Sequence, residues 1–206
     1  MKKQIITIGR QFGSGGREIG KRLAEKLDIP LYDRELIEQA AEKLNLEVKD
    51  VRSADEKLIR NIVFNDYGIS AASRTYNYDT YVESLSDKLY KAQVAIIEEL
   101  ANAGPCIIVG RCADYILRDR DDVLRVFICA SKKKRLERLQ RVRLLVPNEA
   151  EKLMKDIDKK RKRHYEAYTL QDWADPENYD MVLNAGILGT DYIIEILAQC
   201  LEIEGE

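Results

Sequence analysis

The chain has 206 residues, 34 Lys and Arg against 36 Asp and Glu, and a formal net charge of −2. Hydrophobic residues make up 45% and there are only four prolines, which excludes a disordered or fibrous polymer and fits one folding unit of ordinary size. The opening run "MKKQIITIG" is too short for the core of a signal peptide, and nothing approaches the roughly 20 apolar residues of a membrane span, so the sequence predicts a cytoplasmic protein. Cys106, Cys112, Cys129 and Cys200 form no CxxC pair, so reduced thiols in or near a core are expected rather than a disulfide framework or a zinc site. The single histidine, His164, lies in "KRKRHYEAY" with no nucleophile and acid around it, and reads as a helix surface residue.

In chain order, "QIITIG" is rich in β-branched residues and reads as a strand buried on both faces. From Arg17 the period changes: Ile19, Leu23, Ala24 and Leu27 share one helical face opposite Lys21, Arg22, Glu25 and Lys26, and "DIP" closes the helix. A short strand "PLYD" follows, then helical spacing from Leu36 to Leu44. Residues 45–83 are polar, tyrosine-rich and without a clean period, and read as an inserted segment. A long amphipathic helix is predicted over about 84–102, stopped by "AGP", and "CIIVG" is a third strand running into the turn "RCADYIL". "VLRVFICA" is a fourth strand, followed by a helix with Ser131 as its cap, a hinge at "VPNEA" and a second basic helix. "YDMVLN" is a fifth strand, and the last helix, "TDYIIEILAQCL", is expected to be capped by Thr190 or Asp191. Five apolar strands separated by helices predict an α/β fold with a parallel sheet covered on both sides, whose ligands lie beyond the carboxyl ends of the strands.

Two features carry chemistry. From Ser131 to Arg163 there are 14 Lys plus Arg against 5 Asp plus Glu, a local +9 that suits a solvated helix face, a nucleic-acid patch or a lid over phosphates. The other is "GRQFGSGGRE", four glycines between a buried strand and a helix start, where backbone N–H groups and the helix dipole attract an anion. The dinucleotide pattern GxGxxG is met only loosely, by Gly13, Gly15 and Gly20 at the wrong spacing. The mononucleotide pattern GxxxxGK[ST] fits better: Gly13, Ser14 and Gly15 match, but Gly16 stands at the lysine, Arg17 and Glu18 at the Ser/Thr pair, and Arg10 at the first glycine. A tight strand-to-helix turn without a ligand is the alternative.

"ITIGRQFGSGGREIGKRLAEKL", "IPLYDRELI", "CIIVGRCADYIL", "VFICASKKKRLERL" and "DKKRKRHYEAYT" occur in an order and spacing similar to the cytidylate kinase-like proteins, a branch of the P-loop nucleoside monophosphate kinases. The resemblance implies a P-loop NTPase-like three-layer α/β/α domain with a five-stranded parallel sheet. Its core would span about 1–44, 84–130 and 176–206, with a helical acceptor-binding insertion at about 45–83 and basic lid helices at about 131–170. It also implies ATP with Mg²⁺ as donor and a nucleoside monophosphate as acceptor, CMP or dCMP giving CDP or dCDP. The ATP phosphates would meet Arg10, Gly13, Ser14, Gly15, Gly16, Arg17 and Glu18, with Arg17 or Arg10 replacing the lysine and Ser14 or Glu18 nearest the metal. Arg17, Arg135, Arg138, Arg161 and Arg163 would act on the transferring phosphate, with Asp158 among the lid arginines. Asp33, Arg34, Arg74, Arg111 and Asp114 would face the acceptor, and Cys112 stands where the family turn GRD has its aspartate. A nucleotide-binding or regulatory module with little turnover, a kinase of another small metabolite using Asp33 as base, and a nucleic-acid binder stacking on Tyr165 and Tyr168 are the alternatives.

Overall fold

The computed structural model describes residues 3–33 and 85–201. The chain divides into two compact units, residues 1–33 with 97–206, and residues 34–96. The expected insertion at about 45–83, with Arg34 and Arg74, lies outside the described residues.

The larger unit is a five-stranded parallel sheet in the order β2-β3-β1-β4-β5, formed by β1 (Ile5–Arg10), β2 (Leu31–Tyr32), β3 (Cys106–Val109), β4 (Val123–Cys129) and β5 (Met181–Asn184). The central strand, β1, pairs with β3 from Ile5↔Cys106 to Ile8↔Val109 and with β4 from Ile5↔Val123 to Arg10↔Ile128. Chain order reverses around it, so the crevice expected of such sheets opens at the carboxyl end of β1.

Side chains alternate across the pleat. Ile6, Ile8, Ile107, Val109, Leu124, Val126 and Ile128 point to one face and meet helix α1 (Gly16–Leu27) through Ile19, Leu23 and Ala24, and helix α7 (Thr190–Cys200) through Ile193, Ile194 and Leu197. On the opposite face, a Cβ at Gly9 would come within 2.8 Å of the Phe127 ring, whose other neighbours are Trp173 at 5.4 Å and Tyr179 at 4.9 Å between ring centroids. Helix α1 ends where the pattern predicts, with Asp28 left-handed at φ 52° and its N–H bonded to Ala24 O.

The remaining elements are α2 (Leu85–Ala103), α3 (Ala113–Ile116), α4 (Lys132–Arg143), α5 (Pro147–Thr169), a 3-10 turn (Pro176–Asn178) and α6 (Ala185–Leu188). Ser131 caps α4 as expected, its Oγ accepting from Lys134 N. Three expectations are corrected. The last helix has Gly189 at its cap and no side-chain cap, so Thr190 is already helical, because the positive φ of 80° at Gly189 makes the entry turn. The segment "VPNEA" is not the hinge: Pro147 begins α5, where its fixed φ suits the first helical position, and the joint is Leu144–Val146 with Leu144 left-handed at φ 54°. His164 is half-buried rather than on the surface, its ring 5.1 Å from that of Tyr168. All four cysteines are free thiols, and burial raises that of Cys106 to about 11. Among the described residues no helix is long and apolar enough to cross a membrane.

Candidate active site at the glycine loop

Between β1 and α1 the loop turns on Gly13 (φ 81°) and Gly15 (φ 93°), both in the left-handed region that glycine adopts without a steric cost. Gln11 anchors its start, donating from N to Ile128 O at 3.0 Å and accepting at Oε1 from Ala130 N at 3.2 Å. Ser14 is buried and its Oγ donates to Gln11 O at 2.8 Å. The cap residue Gly15 brings no side chain to the first turn of α1, so its leading amides, with the helix dipole, are an arrangement suited to an anion.

The absent lysine has a packing explanation. A Cβ placed on Gly16 would lie 2.7 Å from Arg10 Cβ and 3.3 Å from Ile128 Cβ, far inside the ordinary carbon contact of about 3.5–4.0 Å. Arg10 then runs on to the turn after β3, where a Cβ on Gly110 would come within 1.8 Å of its Nη1. Arg10 and Gly16 are therefore one exchange: the arginine fills the room that a side chain at position 16 needs. The turn at Gly110 is left-handed at three successive residues, with φ 77°, 61° and 56° at Gly110, Arg111 and Cys112. For the latter two this is a strained conformation that the surrounding structure must hold.

Arg10 reaches Asp33, Nη2 to Oδ1 at 3.5 Å, while Arg17 Nε donates to Asp33 Oδ2 at 2.5 Å. Arg161 donates from Nη1 to Arg10 O at 2.9 Å. Among the described residues Arg10, Arg17, Arg111 and Arg161 interact around Asp33, and Asp158 is the other carboxylate that acts on Arg161. Burial above all, then Arg161, lowers Arg10 well below the ordinary guanidinium range, to about 9, with Asp33 opposing and Arg111 and Arg17 adding to the fall. Arg161 is lowered as well, first by burial. The Nε atoms of Arg10 and Arg135 are buried with no hydrogen-bond partner among the described residues.

The basic helices α4 and α5 lie on the loop. Arg135 Nη1 donates to Phe12 O at 3.2 Å and pairs with Asp158, whose Oδ1 accepts from Phe12 N at 2.7 Å. Arg138 pairs with Glu18, and its Cζ would be 3.6 Å from a Cβ on Gly15. The Phe12 ring is buried among Leu139, Ala150 and Met154, with the guanidinium groups of Arg143 and Arg161 at 5.0 and 5.7 Å. Phe12 escapes sequence reading, although a lone large apolar residue inside a glycine-rich loop is a signal that something covers it.

Arg10, Arg17, Asp33, Arg111 and Arg161 are thus brought together, with Arg135, Arg138, Glu18 and Asp158 beside the loop. Arg163 makes none of these contacts, since two residues along a helix is a turn of about 200° from Arg161. Asp114 is placed elsewhere: it is buried at the start of α3 and accepts from Tyr165 Oη at 2.7 Å. It borders a small cavity of about 90 Å³ that Arg125 and Gln171 also line. Burial raises its carboxyl above the ordinary range despite the Tyr165 bond, and Tyr165 is raised too, by burial and by Asp114.

The residues suit a polyphosphate: an uncapped helix start, an excess of guanidinium and two buried Nε donors without partners among the described residues. For a divalent cation the protein offers less. Among the described residues no three His, Cys, Asp or Glu converge, Ser14 Oγ is bonded to Gln11, and Glu18 is paired with Arg138.

The chain matches the cytidylate kinase-like family over residues 5–187. No curated protein matches it. Among solved structures it is similar to an uncharacterized protein from Eubacterium ventriosum, with 27% identity and a TM-score of 0.69, covering 96% of this chain and 97% of that one. It is also similar to TT1252 from Thermus thermophilus, with 15% identity, a TM-score of 0.51 and full coverage of both chains, 100% each. A shikimate kinase from Bacteroides thetaiotaomicron matches at 17% identity and a TM-score of 0.49, over 95% and 94% of the two chains. With the family match running through the sheet, the glycine loop and the basic helices, and with a fold of the P-loop three-layer α/β/α kind, the chain belongs to the cytidylate kinase-like family and its chemistry is phosphoryl transfer of the kinase type.

Proposed function

We propose that the chain transfers the γ-phosphoryl group of ATP to a nucleoside monophosphate, CMP or dCMP foremost, giving CDP or dCDP. The observation that carries this reading is the surplus of guanidinium around Asp33 beside an uncapped helix start, since crowding two phosphorylated substrates together demands such a surplus. Phosphate binding at the loop falls to the amides of Gly13–Arg17, with Arg10 as the fixed cation in place of lysine. Arg17 is the poorer replacement, because its side chain is 61% exposed and is drawn to Asp33. Arg111 and Asp33 are assigned to the acceptor, while Arg34 and Arg74 lie outside the described residues. Arg135, Arg138 and Arg161 bring charge to the transferred group, and Arg163 and Asp114 are left to structural roles.

An anionic oxygen of the acceptor phosphate attacks the γ phosphorus as the bond to the β-phosphate oxygen breaks, and ADP leaves with that oxygen. The attacking oxygen is already ionised near neutral pH, so no general base is required. A divalent cation bound with ATP would supply neutralisation of phosphate charge, and Ser14 and Glu18 would be the protein oxygens to hold it once released from Gln11 and Arg138. A hydroxyl acceptor is less suited, because the base it needs, Asp33, is tied to two guanidinium groups. A nucleotide-binding module with little turnover is the second reading, favoured by the Glu18–Arg138 pair standing over the loop. A coupled assay of ADP formation with CMP, dCMP and the other nucleoside monophosphates decides: turnover with none of them rejects the nucleoside monophosphate as acceptor, and calorimetric binding of ATP without transfer to any of them favours the second reading.

A further inference from the structure

We propose that the α4–α5 hairpin is a structural part of the phosphate loop rather than a cover for it, and that Phe12 and Asp158 are positioning residues through which docking of the hairpin sets the loop in its anion-binding form. The proposal rests on the assignment of this loop to the phosphates of ATP.

A loop built on Gly13 and Gly15 has little conformational preference of its own, since glycine populates positive and negative φ about equally. Within the loop only Ser14 ties back, its N and Oγ donating to Gln11 O, and Gln11 is itself secured through Ile128 and Ala130. On either side of Gln11 the backbone is bonded to the hairpin: Arg10 O accepts from Arg161, Phe12 N donates to Asp158, and Phe12 O accepts from Arg135. The Phe12 ring completes the hairpin's own apolar cluster with Leu139, Ala150 and Met154. A Cβ on Gly13 would press on Arg135 O at 3.1 Å and Leu139 Cγ at 3.2 Å, so the loop lies directly on α4. Withdrawing the hairpin would remove all of its restraints on the loop at once and would take the Phe12 ring with it or expose it to water. Docking of the hairpin and binding of a polyphosphate at the loop are then one coupled equilibrium.

The test uses the full chain with Phe12→Ala, Phe12→Leu and Asp158→Asn. Amide hydrogen exchange is read without ligand over residues 11–18 and 147–169, with calorimetric affinity for β,γ-imido-ATP, and KM for ATP against kcat. Phe12→Ala is expected to speed exchange in both segments together, weaken the analogue by about 5- to 150-fold, the usual span of coupling between linked sites, and raise KM for ATP more than it lowers kcat. Phe12→Leu, which refills the cluster, recovers most of the affinity. Should Phe12→Ala fail to fold, Asp158→Asn, which keeps the side-chain shape, is held to the same readouts. Faster exchange confined to the hairpin, or analogue affinity within about twofold of the unsubstituted protein, below the span of such coupling, overturns the proposal. If the unsubstituted protein binds no ATP analogue, the ATP assignment fails, and joint or separate exchange in the two segments still decides whether hairpin and loop are coupled.

Discussion

Restoring the customary lysine is expected to harm this protein. Even Gly16→Ala puts a carbon 2.7 Å from Arg10 Cβ, 3.2 Å from Arg10 Cγ and 3.3 Å from Ile128 Cβ. The nearest of these is not the free end of a flexible chain but its root, so relief requires the strand end or α1 to shift. Overpacking of this kind costs about 1–3 kcal/mol. Better helix propensity of alanine returns up to about 1 kcal/mol, leaving a net loss on the order of 1 kcal/mol and a fall in Tm of about 2–4 °C for a chain of this length. Gly16→Lys adds a charge to a cluster already rich in arginine and is expected to lose more. The double variant Arg10→Gly with Gly16→Lys removes the overlap and restores the ordinary arrangement, so it should be more stable than Gly16→Lys alone, with a non-additivity of about 0.5–3 kcal/mol. Thermal unfolding followed by circular dichroism, with calorimetric affinity for β,γ-imido-ATP, measures both. A Gly16→Lys protein with unchanged Tm and tighter analogue binding, while Arg10 is intact, would refute the packing argument.

Arg10→Met is expected to abolish most analogue affinity while leaving the ligand-free protein about as stable, because it removes a buried charge in a repulsive cluster; equal affinity in the two proteins speaks against Arg10 as the loop cation. With Arg10 lowered to about 9, analogue affinity should decline as pH rises through about 9. Above that pH the unfolded chain keeps a proton that the folded one releases, so stability relative to Arg10→Met should rise, which denaturant titrations at increasing pH check. Asp114→Asn keeps an acceptor for Tyr165 and removes a buried charge, so stability at pH 7 should hold or increase, whereas Asp114→Ala leaves the Tyr165 hydroxyl only the long bond to Gln171 Oε1 at 3.4 Å and should cost about 1 kcal/mol. The carboxyl of Asp114 is raised, so the native protein should gain stability relative to Asp114→Asn as pH falls toward the carboxyl range, and urea midpoints at several pH values test the sign. Glu18→Gln frees Arg138 and should tighten binding of inorganic tripolyphosphate measured without metal; weaker binding would show the pair to be supportive.

The sheet and its large helices were legible because they follow from local chemistry. The continuous apolar runs at Ile5–Gly9 and Cys106–Val109 suit strands covered on both faces, and the spacing of Ile19 and Leu23 suits α1. Four-residue helices such as α3 and α6 are too short to display a period. Within the site, the glycine loop and the lid arginines could be picked out by type. The reason for Gly16 could not, since it depends on where the side chain of Arg10 goes after leaving β1. Phe12 likewise has its partners, Leu139 and Met154, well over a hundred positions away. Asp114 went the other way: its position after β3 suggested the ligand edge, but the first turn of α3 carries the carboxylate inward to Tyr165.

The replacement of aspartate by cysteine at position 112 has a consequence beyond the lost charge. Aspartate tolerates positive φ better than most residues, by bonding to its own backbone, while Cys112 sits at φ 56° with its side chain buried. A return to aspartate at this position would thus relax the main chain yet put an ionised group into a buried place near Tyr165 and Tyr179. Each single step trades one penalty for another, so this corner of the protein is expected to change only when neighbouring positions change with it.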